Sequence, residues 1–270
     1  MIDQNVLARV HLYGLFKALE LLPRIDEEAA NLVRGRRLMI EFRTRGIGRA
    51  YLSLRDGRAS FQARSYARQG DSGEGGFREE GFREERADVV LVFRSARHLN
   101  ETIAGNQLPV VRRGFRYLRF LRRNLRAYAA RLEYYLRPDA KRLVEPDYAA
   151  AVTRLASYVF FHALSEVGNH DRFASLSARY IPDGVIQIKV FEDVSIYVHA
   201  RHGTLATGVG DHANPRCMLW FHDLQTLYEL LGGTLNTYDG MMLGRLVMKG
   251  FLPMIEFLTP VLGRVPAYLR

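Results

Sequence analysis

The chain has 270 residues, of which 48% are hydrophobic and 25% are charged, and this composition excludes an intrinsically disordered protein. Because the length exceeds that of an ordinary single domain, we expect two domains or one fused double domain. The formal net charge is +10, and the positive charge is concentrated in residues 1–144, which contain 29 lysines and arginines and 17 acidic residues. Any function that depends on positive charge is therefore expected in the first half.

The other gross features favour a cytoplasmic protein. The single cysteine, Cys217, excludes an internal disulfide and a cysteine-based zinc cluster, which fits a reducing compartment. Charged residues interrupt the apolar stretch at residues 6–22, so it is not typical of a signal peptide. No window reaches the ~20 consecutive apolar residues of a spanning helix. We therefore expect a cytoplasmic protein, at most peripheral at the inner face of a membrane.

The first half of the chain predicts helices followed by strands. Helical periodicity covers residues 6–22 and 29–33. Two half-buried strands follow, and then a short buried strand and a helix that ends at a glycine suited to the left-handed C-cap conformation. The residues that carry this prediction are the alternating Leu38, Ile40 and Phe42, the strand 50–54 with its turn at residues 55–57, the strand 90–93 and Gly105.

The same order of elements recurs in the second half, which indicates an internal repeat. The offset between copies is 148 at the first strand, 146 at the hairpin turn and 128 at the fourth strand (residues 90–93 and 218–221), so copy one carries about 18 extra residues. They lie in the polar, glycine-rich loop 65–87, which contains a tandem pentapeptide. The matching residues are the helix 148–164, the alternating Ile186, Ile188 and Val190, the turn at residues 201–203, the strand 218–221 and Gly233.

These elements predict an α+β fold with two tandem domains, each a mostly antiparallel sheet of about five strands covered by helices. The expected domains are residues 1–137, the basic copy with the loop 65–87, and residues 146–270. Prolines at residues 138 and 146 break the pattern between them.

The segment 218–250, a strand and a helix ending in glycine followed by a glycine-strand-glycine unit, resembles the lipid-binding domain of the sterol carrier protein type 2 family. An apolar C-terminal helix, residues 251–262, completes the resemblance, which covers residues 180–265 and, more weakly, 35–120. In copy one we align Gly114 with Gly244, so that a strand is expected over residues 114–120 and a helix from Leu121. The resemblance implies an apolar ligand such as a sterol, fatty acid, acyl thioester or isoprenoid.

An apolar set in copy two has the character of a tunnel for such a ligand, since methionine adapts to varied shapes and an apolar pocket binds through area removed from water. The alternative is that these residues close the core of the domain. The candidate ligand-binding residues are Trp220, Met241, Met242, Leu246, Met248, Phe251, Ile255, Leu258 and Leu262. We expect Trp220 to line a cavity roofed by the helix 251–262.

A basic stripe in copy one is the second candidate surface. On a helix its arginines would share one face and could bind an anionic membrane or a partner protein, although a solvated helix face is the simpler alternative. Nucleic-acid binding is disfavoured because no helix-turn-helix, zinc-finger or single-strand-binding signature accompanies the arginines. The basic stripe consists of Arg112, Arg116, Arg119, Arg123 and Arg126.

No metal, nucleotide or other cofactor is expected. His199 and His202 straddle a predicted turn without an acidic partner at ligand spacing, and no phosphate-binding loop precedes a helix.

The leading hypothesis is therefore binding or transfer of a lipid, isoprenoid, sterol or acyl chain in an enclosed hydrophobic cavity, without catalytic residues. One alternative is an enzyme that holds an apolar substrate, which would require an isolated polar side chain deep in the cavity. Another is a structural partner of a larger complex, which would expose its apolar surface. The sequence leaves the oligomeric state open.

Overall fold

The computed structural model describes residues 2–65, 86–190 and 193–269. These form two compact units, Asp3–Arg137 and the chain from Pro138 onward, called here the N-terminal and C-terminal units. Most of the loop 65–87, including its tandem pentapeptide, lies outside the described residues.

The N-terminal unit begins with helices, and Asp3 is the N-cap of the first one. Its carboxylate accepts hydrogen bonds from the amides of Asn5 at 2.7 Å and Val6 at 3.3 Å. The helices in this part are α1 (Gln4–Arg9), which continues through a π-helical turn (Val10–Leu15) and a 3-10 turn (Phe16–Glu20), α2 (Leu22–Ile25) and α3 (Glu27–Val33).

A five-stranded sheet in the order β3-β2-β1-β4-β5 follows, in which β1 and β4 are parallel and the other neighbours antiparallel. The elements are β1 (Arg37–Thr44), β2 (Gly48–Arg55), β3 (Arg58–Ser65), β4 (Val89–Phe93), α4 (Ala96–Ile103) and β5 (Val110–Arg113). The unit ends with a 3-10 turn (Phe115–Tyr117), α5 (Leu118–Phe120), a π-helical turn (Leu121–Leu125) and α6 (Arg126–Leu136).

The C-terminal unit repeats this topology with the strand order β10-β9-β6-β7-β8, where β6 and β9 form the parallel pair. Its first part is α7 (Pro146–His170), α8 (Ala174–Ala178), β6 (Gly184–Val190), β7 (Ser195–Arg201) and β8 (Thr204–Val209). Its second part is β9 (Cys217–Phe221), α9 (Leu224–Gly232), α10 (Thr237–Met242), β10 (Leu246–Gly250), α11 (Pro253–Arg264) and α12 (Pro266–Leu269). The predicted α+β fold with two five-stranded, mostly antiparallel sheets is therefore confirmed.

Strand register corrects the offset expected at the first strand. Ile40 pairs with Val89 and Ile186 pairs with Cys217, so Ile40 and Ile186 are equivalent and lie 146 residues apart, not 148. The error has a simple cause: side chains alternate with period two, so a shift by two residues leaves the pattern unchanged.

The hairpin turns agree with the sequence prediction. Asp56 and Gly57 have φ values of 51° and 84°, and His202 and Gly203 have 50° and 73°, so both turns use two successive residues with positive φ.

The strand expected over residues 114–120 is wrong. β5 ends at Arg113, and residues 115–136 are helical. Gly114 (φ +89°) is equivalent to Gly250 (φ +97°) and not to Gly244, because both lie at the end of the edge strand and pass close to the backbone of the neighbouring strand. A Cβ at Gly114 would lie 2.7 Å from the carbonyl oxygen of Asp88, and a Cβ at Gly250 would clash with the carbonyl oxygen of Arg216.

The core of the C-terminal unit lies on one face of its sheet. A Cβ at Gly168 of α7 would meet Leu205 of β8 and Val261 of α11, so the two helices and the sheet come together at this glycine. By register, Leu205 lies on the same face as Leu219 and Phe221. The helices α7 and α11 therefore cover that face.

Candidate functional site

The C-terminal unit exposes a run of large apolar side chains from α10 to the residue before α11, which we call the apolar segment (residues 238–252). Globular proteins seldom leave so many large hydrophobic side chains in water without a binding role. Its exposed members are Met242 (87%), Tyr238 (75%), Leu243 (65%), Leu252 (51%), Val247 (45%) and Phe251 (39%).

The backbone around α10 holds these side chains outward. Gly240 is buried, and a Cβ at this position would contact Leu235 and Leu246. The side-chain oxygen of Asn236 caps α10 by accepting a hydrogen bond from the amide of Asp239 at 2.8 Å. Arg245 fixes the start of β10 through an ion pair with Glu229 at 2.8 Å. The apolar segment is thus a defined element of the fold.

Within the described residues of the N-terminal unit, 3–65 and 86–137, no helix corresponds to α10. Gly105 and Gly233 end equivalent helices 128 residues apart, whereas Gly114 and Gly250 are 136 residues apart. The C-terminal unit is therefore eight residues longer between these glycines, and α10 lies within this longer stretch.

The predicted ligand-binding residues divide into three groups by exposure. Leu246, Ile255 and Leu258 are buried. Trp220, Met241, Met248 and Leu262 are half-buried. Met242 and Phe251 are exposed and belong to the apolar segment.

The structure does not bring Trp220 together with α11. Trp220 alternates along β9 with the buried Leu219 and Phe221 and so lies on the opposite face of the sheet from α7 and α11. It pairs instead with Val247 of the apolar segment, and Lys249 lies over its ring at 5.8 Å. The expectation of a cavity lined by Trp220 and roofed by α11 is corrected by this register.

The helix α11 is fixed to the core at its C-terminal end by the Asp171 cluster (Asp171, Arg264 and Tyr268). The carboxylate of Asp171 accepts hydrogen bonds from the Tyr268 hydroxyl at 2.6 Å and from Arg264 Nε at 3.2 Å. Burial alone would raise the pKa of Asp171, but these bonds and those from the amides of Ala174 and Phe173 bring the pKa below its usual value. Asp171 is therefore a buried, ionised anchor.

The five arginines of the basic stripe are all exposed, as a docking surface requires. They do not share one regular helix: Arg112 is in β5, and the other four follow the 3-10, α and π-helical turns from Phe115 to Arg126. The sequence from Leu108 to Leu132 contains no acidic residue. Phe115, which precedes Arg116 in the sequence, is 63% exposed.

Of the two histidines considered as metal ligands from the sequence, His199 has its ring centroid 6.5 Å from that of His212, and His202 Nδ1 lies 3.6 Å from the carboxylate of Asp183. Burial lowers the pKa of His199, and nearby His212 and Arg201 lower it further. Within the described parts of the chain, no group of three histidine, cysteine or acidic side chains is placed to hold a metal ion. Over the same residues, no helix is long and apolar enough to cross a bilayer.

Neither a protein-family model nor a curated protein matches this chain. Among the solved structures that match parts of it at low identity are three sterol carrier proteins. The sterol carrier protein domain 2 of Helicoverpa armigera is 14% identical, with 42% of this chain and 89% of that chain covered and a TM-score of 0.35. Sterol carrier protein 2 like 2 from Aedes aegypti is 21% identical, with 40% and 97% covered and a TM-score of 0.31.

The third is sterol carrier protein 2 from Yarrowia lipolytica, 16% identical, with 40% of this chain and 91% of that chain covered and a TM-score of 0.34. The family predicted from the sequence is the one to which these three structures belong.

Sequence reasoning missed four residues of the apolar segment, namely Tyr238, Leu243, Val247 and Leu252. A signal was present, because this segment has no counterpart of equal length in the first copy. Aligning Gly114 with Gly244 concealed the eight-residue difference and with it the inserted helix.

Proposed function

We propose that this chain binds or transfers an apolar molecule, such as a lipid, isoprenoid, sterol or acyl chain, through the apolar segment of its C-terminal unit. The observation that carries the proposal is the exposure of six large apolar side chains on a structured element. Their removal from water would favour binding by roughly 25 cal/mol for each Å² buried.

The ligand surface assigned here is the N-terminal end of α11 with α10 and β10, and not the buried face of α11. Met254, Leu258 and Val261 are already fully buried in the core. Two cations border the segment, with Arg216 lying 4.5 Å from the centroid of the Phe251 ring and Lys249 over Trp220. An apolar molecule with an anionic end would suit this arrangement.

Membrane docking by the basic stripe completes the proposed function. Exposed arginines attract anionic lipid headgroups, and an exposed aromatic side chain such as Phe115 can enter the interfacial layer. A carrier needs such contact to exchange its ligand with a bilayer.

A protein partner bound to the apolar segment is the second candidate. It is favoured by the openness of the segment, since a ligand-free carrier would be expected to enclose its apolar surface. The two candidates differ in what covers the exposed side chains of the apolar segment, which is either an apolar small molecule or a protein.

Native mass spectrometry of freshly purified protein, followed by solvent extraction, separates these candidates. The proposal predicts a co-purifying lipid and a change in Trp220 emission when a fluorescent fatty acid is added. The double variant Met242→Glu/Leu243→Glu should lose the probe, whereas Leu108→Glu, at a site 85% exposed in the other unit, should retain it. Absence of both lipid and probe binding in the parent protein would reject the carrier function.

A further inference from the structure

A second exposed apolar surface of the C-terminal unit lies on the short helix α8 and shares no residue with the apolar segment or the basic stripe. It consists of Phe173, just before the helix, Leu176 within it and Tyr180, just after it, which are 66%, 55% and 69% exposed. The backbone of Phe173 and Arg179 is also helical, and residues three and four positions apart in a helix lie on one side of it. We call this surface the α8 face.

Neighbouring side chains hold the two aromatic rings of the α8 face in place. The guanidinium carbon of Arg264 lies 5.7 Å from the centroid of the Phe173 ring. The ring centroid of Tyr180 lies 5.8 Å from that of Phe257 in α11, and the Ser177 hydroxyl donates a 2.8 Å hydrogen bond to the carbonyl oxygen of Phe257. The α8 face is therefore ordered before any partner binds, which lowers the entropic cost of binding.

The N-terminal unit shows that the fold does not require an apolar surface here. Asp26 and Asp171 are equivalent, because each accepts a hydrogen bond from the amide of an alanine three residues later and pairs with an arginine of α6 or α11. The positions two and five residues after this aspartate, which are apolar in the α8 face, are the exposed polar residues Glu28 and Asn31 in the N-terminal unit. The apolar character is thus a property of the C-terminal unit.

Two arginines flank the α8 face in the sequence. Arg172 and Arg179 are exposed, and among residues 2–65, 86–190 and 193–269 no carboxylate lies within ion-pair distance of either guanidinium group. Residues 145–270 contain 10 basic and 12 acidic side chains in total. The positive charge beside the α8 face is therefore local, in a unit whose net charge is negative.

We propose that the α8 face binds an amphipathic, acidic segment of a partner protein. Phenylalanine, tyrosine and arginine are the side chains enriched in protein–protein interfaces. The apolar side chains of such a segment would cover Phe173, Leu176 and Tyr180, and its carboxylates would accept charge-assisted hydrogen bonds from Arg172 and Arg179. This surface does not depend on the proposed lipid function.

Charge favours this occupant over a second copy of the chain and over an anionic membrane. In a two-fold contact the same surface meets itself, so the arginines of one copy would lie close to those of the other. A membrane extends past the whole unit and its net negative charge, whereas a short segment contacts only the two arginines, and charge attraction is screened beyond about 10 Å.

Fluorescence anisotropy of a labelled synthetic peptide with the full chain tests the charge. The peptide has leucines on one helical side and glutamates at its other positions, and it should bind, whereas a peptide with lysines in place of the glutamates should not. Arg172→Glu/Arg179→Glu should weaken binding by roughly tenfold or more. Arg119→Glu/Arg123→Glu changes the net charge equally and is the matched control, which should bind the peptide as the parent does.

A second pair of variants tests the apolar part. Leu176→Asn introduces the residue type of the N-terminal unit and should weaken peptide binding by roughly tenfold, because a large apolar side chain is lost from the contact. Val209→Asn, at a site of the same unit that is also 55% exposed, is the control and should bind as the parent does. Both variants should keep the melting temperature of the parent, since both sites are exposed.

The proposal is overturned if the parent does not bind the acidic peptide, or if Leu176→Asn and Arg172→Glu/Arg179→Glu bind it as tightly as the parent. Analytical ultracentrifugation and vesicle co-sedimentation of the parent and Leu176→Asn test the other occupants. A dimer that Leu176→Asn dissociates would assign the α8 face to a second copy of the chain, and weaker binding of Leu176→Asn to anionic vesicles would assign it to a membrane. Either result would also overturn the proposal.

Discussion

The Tyr268 hydroxyl donates a 2.6 Å hydrogen bond to the buried carboxylate of Asp171, and so joins the final helix to the chain that follows α7. Replacing Tyr268 with phenylalanine removes one donor from an ionised group and keeps the ring. We expect the free energy of unfolding to fall by about 1.5–3 kcal/mol, measured by urea denaturation. Tyr238→Phe, at a site 75% exposed, is the control and should have no measurable effect.

The same bond predicts how this loss depends on pH. Because the pKa of Asp171 is lowered in the folded protein, its contribution to stability is complete above the unfolded pKa of about 3.9 and is lost as pH falls through the folded pKa. The difference between Tyr268→Phe and the parent should therefore be largest near neutral pH and shrink in acid. A difference that grows in acid would contradict the assignment.

Replacing Thr44 should stabilise the protein, in contrast to replacing Tyr268. The Thr44 hydroxyl is fully buried and has no hydrogen-bond partner among the residues that the structure describes. Its equivalent in the C-terminal unit is Val190, because Thr44 pairs with Phe93 as Val190 pairs with Phe221. Thr44→Val should raise the free energy of unfolding by about 1 kcal/mol, because an unsatisfied buried hydroxyl is removed. The reverse change, Val190→Thr, should lower the free energy of unfolding. If Thr44→Val lowers it as well, the Thr44 hydroxyl has a hydrogen-bond partner in solution and the prediction is wrong.

Gly250 should tolerate no side chain, because its φ is +97° and a Cβ would clash with the carbonyl oxygen of Arg216. We expect Gly250→Ala to reduce stability by at least about 1–3 kcal/mol. Gly263 of α11 has open space around it, so Gly263→Ala should raise stability by about 0.5–1 kcal/mol. Thermal unfolding of both variants measures this contrast, and equal melting temperatures would argue against the close approach at Gly250.

Vesicle co-sedimentation tests the basic stripe. Arg119→Glu/Arg123→Glu should weaken binding to anionic vesicles with little change in melting temperature, since both side chains are exposed. Binding of the parent should fall as salt rises, because charge attraction is screened beyond about 10 Å at 0.1 M ionic strength. Arg172→Glu/Arg201→Glu, with exposed arginines of the other unit, is the matched control. Equal binding of the parent to neutral vesicles would exclude electrostatic docking.

The repeat was readable from the sequence because its signals are local. Alternation along β1 and β6, turn glycines at Gly57 and Gly203, and cap glycines at Gly105 and Gly233 each depend on a few neighbouring residues. Fold class follows from such signals, since they determine which elements form and in what order.

The candidate site was harder to predict because it depends on register and exposure. The side on which Trp220 lies is decided by its pairing with Val247 and by where α11 packs, and neither is encoded in a short window. Likewise, the residue type of Met242 does not show whether its side chain is buried in the core or exposed on α10.

The longer connection in the N-terminal sheet has a small thermodynamic consequence. Its parallel pair joins Ile40 to Val89, 49 positions along the chain, whereas the C-terminal pair joins Ile186 to Cys217, 31 positions along. Loop-closure entropy grows only with the logarithm of this separation, so the 18 additional residues oppose closure of the sheet by about 0.4 kcal/mol. A sheet of this topology can therefore acquire an insertion at this connection with almost no loss of folding free energy, which makes it a place where one copy of a duplicated domain is free to diverge in length.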